Sequence, residues 1–431
     1  MNEARLGEVM TLVRELAPLS RTLVHPDNEK ALRAFSSRLP GMTIESFDSG
    51  KAVWTWKIPN QWQLKRSSLH DSDSGELLWD GASHALATVN YSLPIDGEFA
   101  PDELAPHLHS AAARPAAIPF VYRFYSRDWG FCMPQAVKEK VLARRRVRAR
   151  IETDERPGKL QVGVLALPGE SEREFVLCTN ICHPSIANDS LSGAAAAVAI
   201  ARHLMERPRR RYSWRLLWLP ETIGSVAYFA HHEDVIRRAI GGLFIEMLGN
   251  QNSLCLQHTR AGDTYWDRVF AGALRDSGLE FRTAPFLQSA ANDEKVMDAP
   301  GVNIPTLSLT RYPYPEYHTS DDNASLIDPA RMAEAIEVVC RFVDRVESDY
   351  VPVYRSRGPV CLSEHGLYPD WYKDPRMKER WEGFVKVMYA LDDRRSIEAY
   401  AADLGLPLDV VRYWCDAFAE KGFVAKQPLK W

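Results

Sequence analysis

The spacing of apolar and polar positions changes along the chain and predicts four segments. Residues 1–48 predict two helices, the first of them amphipathic, with a break near 20–26. Residues 49–130 hold short runs rich in Trp, Tyr, Val and Thr, separated by turn dipeptides such as Pro-Asn and Asp-Gly. This texture predicts a small inserted β domain. Its candidate strands are 52–58, 61–67, 76–80 and 85–92.

Between 131 and 349, apolar strand-like runs alternate with helical patterns. The alternation predicts an α/β fold with a doubly wound, mostly parallel sheet. We expect this segment and the helices of 1–48 to form one catalytic domain. The candidate strands are 147–153, 160–168, 174–181, 213–220, 241–248, 253–259 and 306–311, and the candidate helices are 191–207, 224–237, 263–277 and 329–347.

The last segment, 355–431, predicts a winged helix-turn-helix. Helical patterns at 375–391, 396–404 and 407–421 precede a strand-like run at 422–425. Residues 351–431 carry 13 Lys and Arg against 12 Asp and Glu, whereas a DNA reader normally presents a basic face. We therefore expect this domain to pair or pack with protein and not to bind nucleic acid.

Composition places the chain among ordinary globular proteins. Of its 431 residues 45% are apolar and 26% charged, with a formal net charge of −4, so a polyanionic or membrane partner has no support. An apolar run long enough to span a bilayer is absent, and the N-terminus lacks the pattern of a signal peptide. Seven irregularly spaced Cys predict a reducing compartment, so we expect a cytoplasmic protein.

The candidate chemistry lies where apolar strands end. His183 and Asp189 follow the run that ends near 181. Glu221, Glu246 and His318 end three later segments in the same way. Ligands of open α/β sheets bind at the carboxyl ends of the strands. Two His and three carboxylates there are a plausible ligand set for a hydrolytic zinc site, with Glu221 as a general base.

Each of these residues also has a structural interpretation. Asp189 precedes a helix and fits a simple cap. Glu221 fits a favourable charge at a helix N-terminus, and Glu246 fits a buried partner of an Arg. A lone His183 is more often a satisfied polar residue than a ligand. The joint occurrence of all of them at strand ends favours a site.

Two residues are candidates for substrate binding. Tyr317, in the Pro- and Tyr-rich loop before His318, could wall a pocket, and ordinary loop packing is equally compatible with it. Arg260 could hold a substrate carboxylate, although a surface salt bridge is the commoner fate of such an Arg. A serine-hydrolase elbow and a glycine-rich phosphate loop are both missing from the sequence.

At these residues the chain resembles the zinc aminopeptidases of the M28 clan. CHPSIANDSLSG, LPETIGSVAY, APGVNIP and PEYHTSDDN are similar to the aminopeptidase-like family DUF4910, and the insert is similar to its companion domain DUF2172. The resemblance implies that His183 and Glu246 hold a first zinc, that Asp189 bridges two zincs, and that His318 belongs to the second. It implies that Glu221 is the base.

Two departures from the family pattern leave the number of zinc ions open. The zinc aminopeptidases usually carry two adjacent Glu, whereas Thr222 follows Glu221 here. They also carry His-x-Asp, whereas Pro184 and Ser185 follow His183. A single zinc could be held by His183 and Asp189 with either His318 or Glu246.

We therefore predict a zinc-dependent hydrolase that cleaves an amide near a free amino group, acting on a small molecule or short peptide. An amidohydrolase that tailors a metabolite or glycan, and a non-catalytic regulator with a winged-helix output, are the alternatives. Thr222 favours the regulator, and retention of the other site residues opposes it. A homo-oligomer is compatible with the sequence.

Overall fold

The computed structural model describes residues 2–370 and 375–431, which group into two compact units. The first unit comprises Met1–Gly262 and Gly278–Cys340, and the second comprises Asp263–Ser277 and Arg341–Trp431. The helix predicted at 263–277 thus groups with the C-terminal residues. Among the described residues no helix has the length and apolar character needed to cross a membrane, and no disulfide bond is present.

An eight-stranded sheet organises the first unit. The strands are β1 Thr43–Asp48, β2 Lys159–Leu167, β3 Ser171–Asn180, β4 Tyr212–Leu219, β5 Ala239–Ile245, β6 Leu254–Gln257, β7 Phe281–Ala284 and β8 Thr306–Thr310. Their spatial order is β1-β2-β4-β3-β5-β8-β6-β7. The four central strands β4, β3, β5 and β8 are mutually parallel, whereas the pairs β1–β2, β2–β4 and β8–β6 are antiparallel.

The α/β prediction is confirmed, with a parallel centre and a more mixed periphery than expected. β3 is buried from Phe175 to Asn180, as its continuous apolar run requires for a strand covered on both faces. β1 lies within the segment predicted to be helical and β7 was not predicted. Both are short edge strands with partly exposed residues, so they lack the apolar signal of the central strands.

The helices of the first unit mostly match their predicted ranges. The helix predicted at 224–237 is divided at His232 into two shorter helices. The helices are Glu3–Leu16, Pro26–Ser36, Pro101–Leu104, Gln135–Leu142, Gly193–Glu206, Ile223–His231, Glu233–Arg238, Glu294–Met297 and Pro329–Ser348, the last of which ends in the second unit.

A separate antiparallel sheet accounts for the predicted β insert. Its strands, in spatial order, are Leu77–Asp80, Gln61–Asp71, Val147–Arg156 and Ile95–Phe99. The run at 147–153 forms part of this sheet and not of the eight-stranded sheet. This sheet therefore includes residues beyond 130, the predicted end of the insert. The run at 85–92 forms only isolated bridges at Thr88 and Asn90. The domain limits of 49–130 and 131–349 stay a prediction.

The second unit contains the three C-terminal helices that the sequence predicts. They are Met377–Ala390, Ile397–Leu404 and Leu408–Glu420, and Tyr265–Ser277 belongs to the same unit. Val351–Tyr354 pairs antiparallel with Val424–Gln427 in a two-stranded sheet. The winged-helix assignment stays a prediction.

Candidate metal centre

The four central parallel strands place the candidate residues at one edge of the sheet. In the register of β3 and β4, Asn180 lies opposite Leu219, so the loops carrying His183 and Glu221 leave the sheet side by side. Glu246 directly follows β5, the other neighbour of β3. His318 lies in the loop after β8, which pairs with β5.

Three donor atoms converge in this region. Asp189 Oδ2 lies 3.0 Å from His318 Nε2 and 3.5 Å from His183 Nε2. The donor atoms of this group all lie within 4.8 Å of one another. His183 is 3% exposed and Asp189 is 2% exposed, so both are shielded from bulk water. These three residues are therefore candidate ligands of a metal ion.

Glu221 reaches the same centre from the neighbouring loop. Its Oε2 lies 3.7 Å from His183 Nε2, and its side chain remains 27% exposed. A second donor group, formed by Cys182, His183 and Glu221, shares His183 with the first. Burial raises the pKa of the Cys182 thiol well above its usual range, and its Sγ accepts a hydrogen bond from the Glu221 N–H at 3.0 Å. Both groups of the described residues therefore belong to one centre.

The buried polar atoms fit a cation. Glu246 Oε2 has no hydrogen-bond partner among the described residues, although buried polar groups are almost always satisfied, and the buried Asp189 Oδ2 lies between two imidazoles. Burial raises the pKa of Glu246 well above its usual range, and the charges of Asp189 and Glu221 act in the same direction. A bound cation would reverse this repulsion, and imidazole and carboxylate ligands suit zinc.

Glu246 is placed differently from the other predicted ligands. It is fully buried, and its Oε1 accepts a hydrogen bond from Asn292 Nδ2. It does not belong to either three-donor group of the described residues. Its predicted role as a ligand stays a prediction, and His318 is the better-placed third ligand.

Backbone strain is concentrated at the candidate residues. His318 has a φ of +54°, Thr222 beside Glu221 has +61°, Met247 beside Glu246 has +53°, and Ser185 near His183 has +52°. Non-glycine residues rarely adopt this left-handed region, and strained residues cluster at functional sites because the surrounding structure holds them there. The sequence gives no signal for this strain.

Two distant residues fix the loop that carries His183 and Asp189. The buried Arg21 guanidinium donates at 2.8 Å to the carbonyls of Ile181 and Ile186, on either side of His183. Asp322 accepts hydrogen bonds from the backbone N–H groups of Asn188 and Asp189 at 2.6 and 3.1 Å. Sequence analysis selected neither Arg21 nor Asp322 as a site residue.

The helix after Asp189 packs closely against the backbone at the end of β5. A Cβ at Gly193 would lie 2.3 Å from the carbonyl oxygen of Ile245 and 2.8 Å from Cα of Glu246. Glycine therefore lets the helix that begins there approach the end of β5.

The capping interpretation of Asp189 has no support, because the side chain of Asp189 forms no cap hydrogen bond at this helix.

We expect Asp322→Ala to destabilise the protein by about 3 kcal/mol or more. It removes the acceptors of two buried N–H groups and of the Tyr314 hydroxyl, which donates at 2.5 Å, and each unsatisfied buried group costs about 1–3 kcal/mol. Urea denaturation measures the change. Asp321→Ala is the matched control, since Asp321 is half-exposed and pairs with Arg114. Equal stability of the two variants would contradict the role given to Asp322.

Aromatic rings surround the two imidazoles. Tyr317 stacks on His318 with ring centroids 3.9 Å apart. Phe120, from the residues of the predicted insert, contacts His318 edge-on at 5.2 Å and His183 at 5.5 Å. Its N–H also donates at 2.7 Å to the carbonyl of His318. Tyr317 thus lies beside the centre, and its role in substrate binding stays a prediction. Sequence analysis did not select Phe120, because it lies about 200 residues from His318.

Arg260 lies in a different environment from the one predicted. Its Nε is 3.4 Å from Asp298 Oδ1, and its NH2 group donates at 2.7 Å to Asn303 Oδ1. These contacts match the salt-bridge alternative, and the predicted role of Arg260 in substrate binding gains no support.

Asp293, which sequence analysis did not select, is fully buried and accepts a hydrogen bond from the Thr222 N–H at 3.0 Å. It therefore supports the strained turn after Glu221.

The architecture of the chain is that of the zinc aminopeptidases. It resembles a zinc aminopeptidase from Bacillus subtilis with a TM-score of 0.58 at 12% identity, covering 78% of this chain and 94% of that one. An aminopeptidase from Aneurinibacillus sp. strain AM-1 gives a TM-score of 0.53 at 14% identity, with coverage of 79% and 93%. At such identities the likeness establishes the fold.

The chain belongs to the family described as a domain of unknown function, DUF4910, which matches residues 10–349. A Clostridium acetobutylicum protein, named "putative polysaccharide biosynthesis protein with aminopeptidase-like domain", is 30% identical over 367 residues, covering 84% of this chain and 83% of the relative. The crystal structure of a "putative peptidase" from the same organism gives a TM-score of 0.85 at 27% identity, with coverage of 98% and 96%. The predicted family is confirmed.

Proposed function

We propose that this chain is a zinc-dependent hydrolase that cleaves an amide bond near a free amino group. His183, Asp189 and His318 would hold one zinc ion, and Glu221 would be the general base. The observation that carries the proposal is the convergence of two Nε2 atoms and one carboxylate oxygen, all within 4.8 Å of one another, beside a partly exposed Glu.

Glu221 is suited to proton transfer because it adjoins the donor cluster and still meets solvent. A bound zinc ion would polarise the scissile carbonyl and lower the pKa of the attacking water. Glu221 takes a proton from that water as the C–O bond forms, and it returns the proton to the amine as the C–N bond breaks. Phe120 and Tyr317 exclude water from one side of the imidazoles and hold their orientation.

The relatives support the reaction class and leave the substrate open. The zinc aminopeptidases share the fold, and the relative of 30% identity carries an aminopeptidase-like domain by name. The same name refers to polysaccharide biosynthesis, which favours the second candidate, an amidohydrolase acting on a glycan or sugar conjugate. Both candidates use the same centre and the same chemistry.

Metal analysis of the purified full-length chain tests the proposal. We expect one zinc ion per chain, release by a chelator, and hydrolysis of aminoacyl amides or N-acyl amino sugars that returns when zinc is restored. Two zinc ions per chain would contradict the single centre. Stable zinc binding without turnover of either substrate class would favour the regulator alternative, which a gel-shift assay with genomic fragments then examines.

A further inference from the structure

A cleft of about 700 Å³ adjoins the candidate base. Thr222, the residue after Glu221, and Lys295 are among its lining residues, and Lys295 Nζ lies 3.8 Å from Glu221 Oε1. The rest of the lining includes Trp54 and Trp56 from the predicted insert. A ligand in this cleft would therefore lie beside two residues that adjoin Glu221, the group that we assign to proton transfer.

Trp54 occupies a position that folding does not favour. It is the first residue of the two-residue turn that joins the strands Ala52–Val53 and Trp56–Lys57, and its φ is +50°. Such turns favour Gly, Asn or Asp at positive φ, because a bulky side chain is strained there. The indole remains 43% exposed and lines the cleft. A strained aromatic residue that stays partly exposed beside a cleft points to a binding role.

The second indole is held in a fixed orientation. Trp56 is 39% exposed and contacts Tyr125 edge-on, with ring centroids 5.5 Å apart. The Tyr125 hydroxyl donates at 3.2 Å to the carbonyl of Lys57, the residue after Trp56. A rigid aromatic surface of this kind loses little conformational entropy when a ligand stacks on it.

The remaining lining combines aliphatic and charged groups. Val226, Ile236 and Val302 add apolar surface, while Lys295 and the ion pair of Glu233 and Arg237 supply hydrogen-bonding groups. A matching ligand has broad apolar faces and polar groups around its edge. An aromatic amino-acid side chain has the faces but not the polar edge. A pyranose ring has both, since its axial C–H groups can lie on the negative face of an indole while its hydroxyls point outward.

We propose that this cleft binds a pyranose ring that carries an acylated amino group, with the ring stacked on Trp54 and Trp56 and the amide directed toward Glu221. The stacking surface stands on the cleft alone, whereas the direction of the amide rests on the second candidate function above, an amidohydrolase that acts on a glycan or sugar conjugate. The substrate class would then be N-acyl amino sugars and not peptides.

Saturation-transfer NMR tests the proposal on the full-length Glu221→Gln variant, which prevents turnover. The probes are the methyl glycosides of N-acetylglucosamine, N-acetylgalactosamine and N-acetylmannosamine, with phenylalaninamide as the peptide-like comparison. We expect saturation of the ring protons of at least one glycoside. Trp54→Gly and Trp56→Ala, each added to that variant, should weaken its binding at least tenfold. Tyr389→Ala, an exposed aromatic of the other unit, is the matched control and should bind normally.

Thermal melting separates a binding role from a structural one. Because Gly relieves the positive φ, Trp54→Gly should melt at the same or a higher temperature while it loses binding. The absence of saturation for all three glycosides, or equal binding by the Trp variants and the control, would overturn the proposal. So would tighter, Trp-dependent binding of phenylalaninamide. Because binding is measured without turnover, failure of the sugar proposal leaves zinc-dependent hydrolysis standing, and loss of hydrolysis alone leaves the sugar cleft standing.

Discussion

Replacing Glu221 with Gln should reduce kcat by about 10²–10⁴-fold, the usual contribution of a positioned acid–base group. Glutamine preserves the shape of the side chain and cannot accept the proton of the attacking water. Because Glu221 lies beside the group of His183, Asp189 and His318 and is not part of that group, bound zinc should remain unchanged. Steady-state kinetics on the best substrate, together with metal analysis of the same sample, measures both quantities.

The matched control is Glu206→Gln, which makes the same chemical change at an exposed ion pair with Arg5. It should retain the wild-type rate. If Glu221→Gln also kept that rate, the base would have to be another group. If it instead lost its zinc, Glu221 would be a ligand and the assignment of roles around His183 would be wrong.

Replacing a predicted ligand should lower the affinity for zinc itself, in contrast to Glu221→Gln, which should lower kcat and leave bound zinc unchanged. Asp189→Asn and His318→Ala are each expected to weaken zinc affinity by at least about 100-fold, since even residues that only orient a ligand cost 10–100-fold. Asp189 should have the larger effect because its Oδ2 approaches both imidazoles. Competition with a chromophoric chelator measures the affinity.

Asp321→Asn is the control for this pair of variants. Asp321 follows His318 closely in the chain, yet its carboxylate lies 2.6 Å from Arg114 and outside the donor group. It should bind zinc normally. If Asp189→Asn retained its zinc, Asp189 would not be a ligand and the proposed centre would be wrong. If Glu246→Gln also lost zinc, Glu246 would be a ligand as well.

The sequence predicted the central strands well because burial on both faces demands long apolar runs. Runs such as 174–181 and 213–220 have no solvent-exposed face to confuse their pattern, and the structure places strands there. The edge strand Thr43–Asp48 was not predicted, and the run at 147–153 was assigned to the wrong sheet. Short or alternating runs fit several sheets equally, and only pairing with a partner strand decides between them.

The candidate site was predictable in the polar residues that follow its strands and not in the residues that support them. His183, Glu221 and Glu246 could be found because a polar residue directly after a buried strand is conspicuous. Arg21 and Phe120 could not, since a helix-loop Arg and an insert Phe carry no local sign of contact with residues about 160 and 200 positions away. Arg260 had an equally suggestive local pattern, and its environment proved to be a salt bridge.

The sequence by itself determined which segments are buried strands and which chemical groups follow them, because both depend on local runs of residue types. Tertiary structure decided that four of those strands are neighbours, and hence that His183, Asp189, Glu221 and His318 meet. It also decided that Trp54 and Trp56 line a cleft beside Glu221. Strand order and loop packing arise from contacts between distant residues, and local patterns do not encode them.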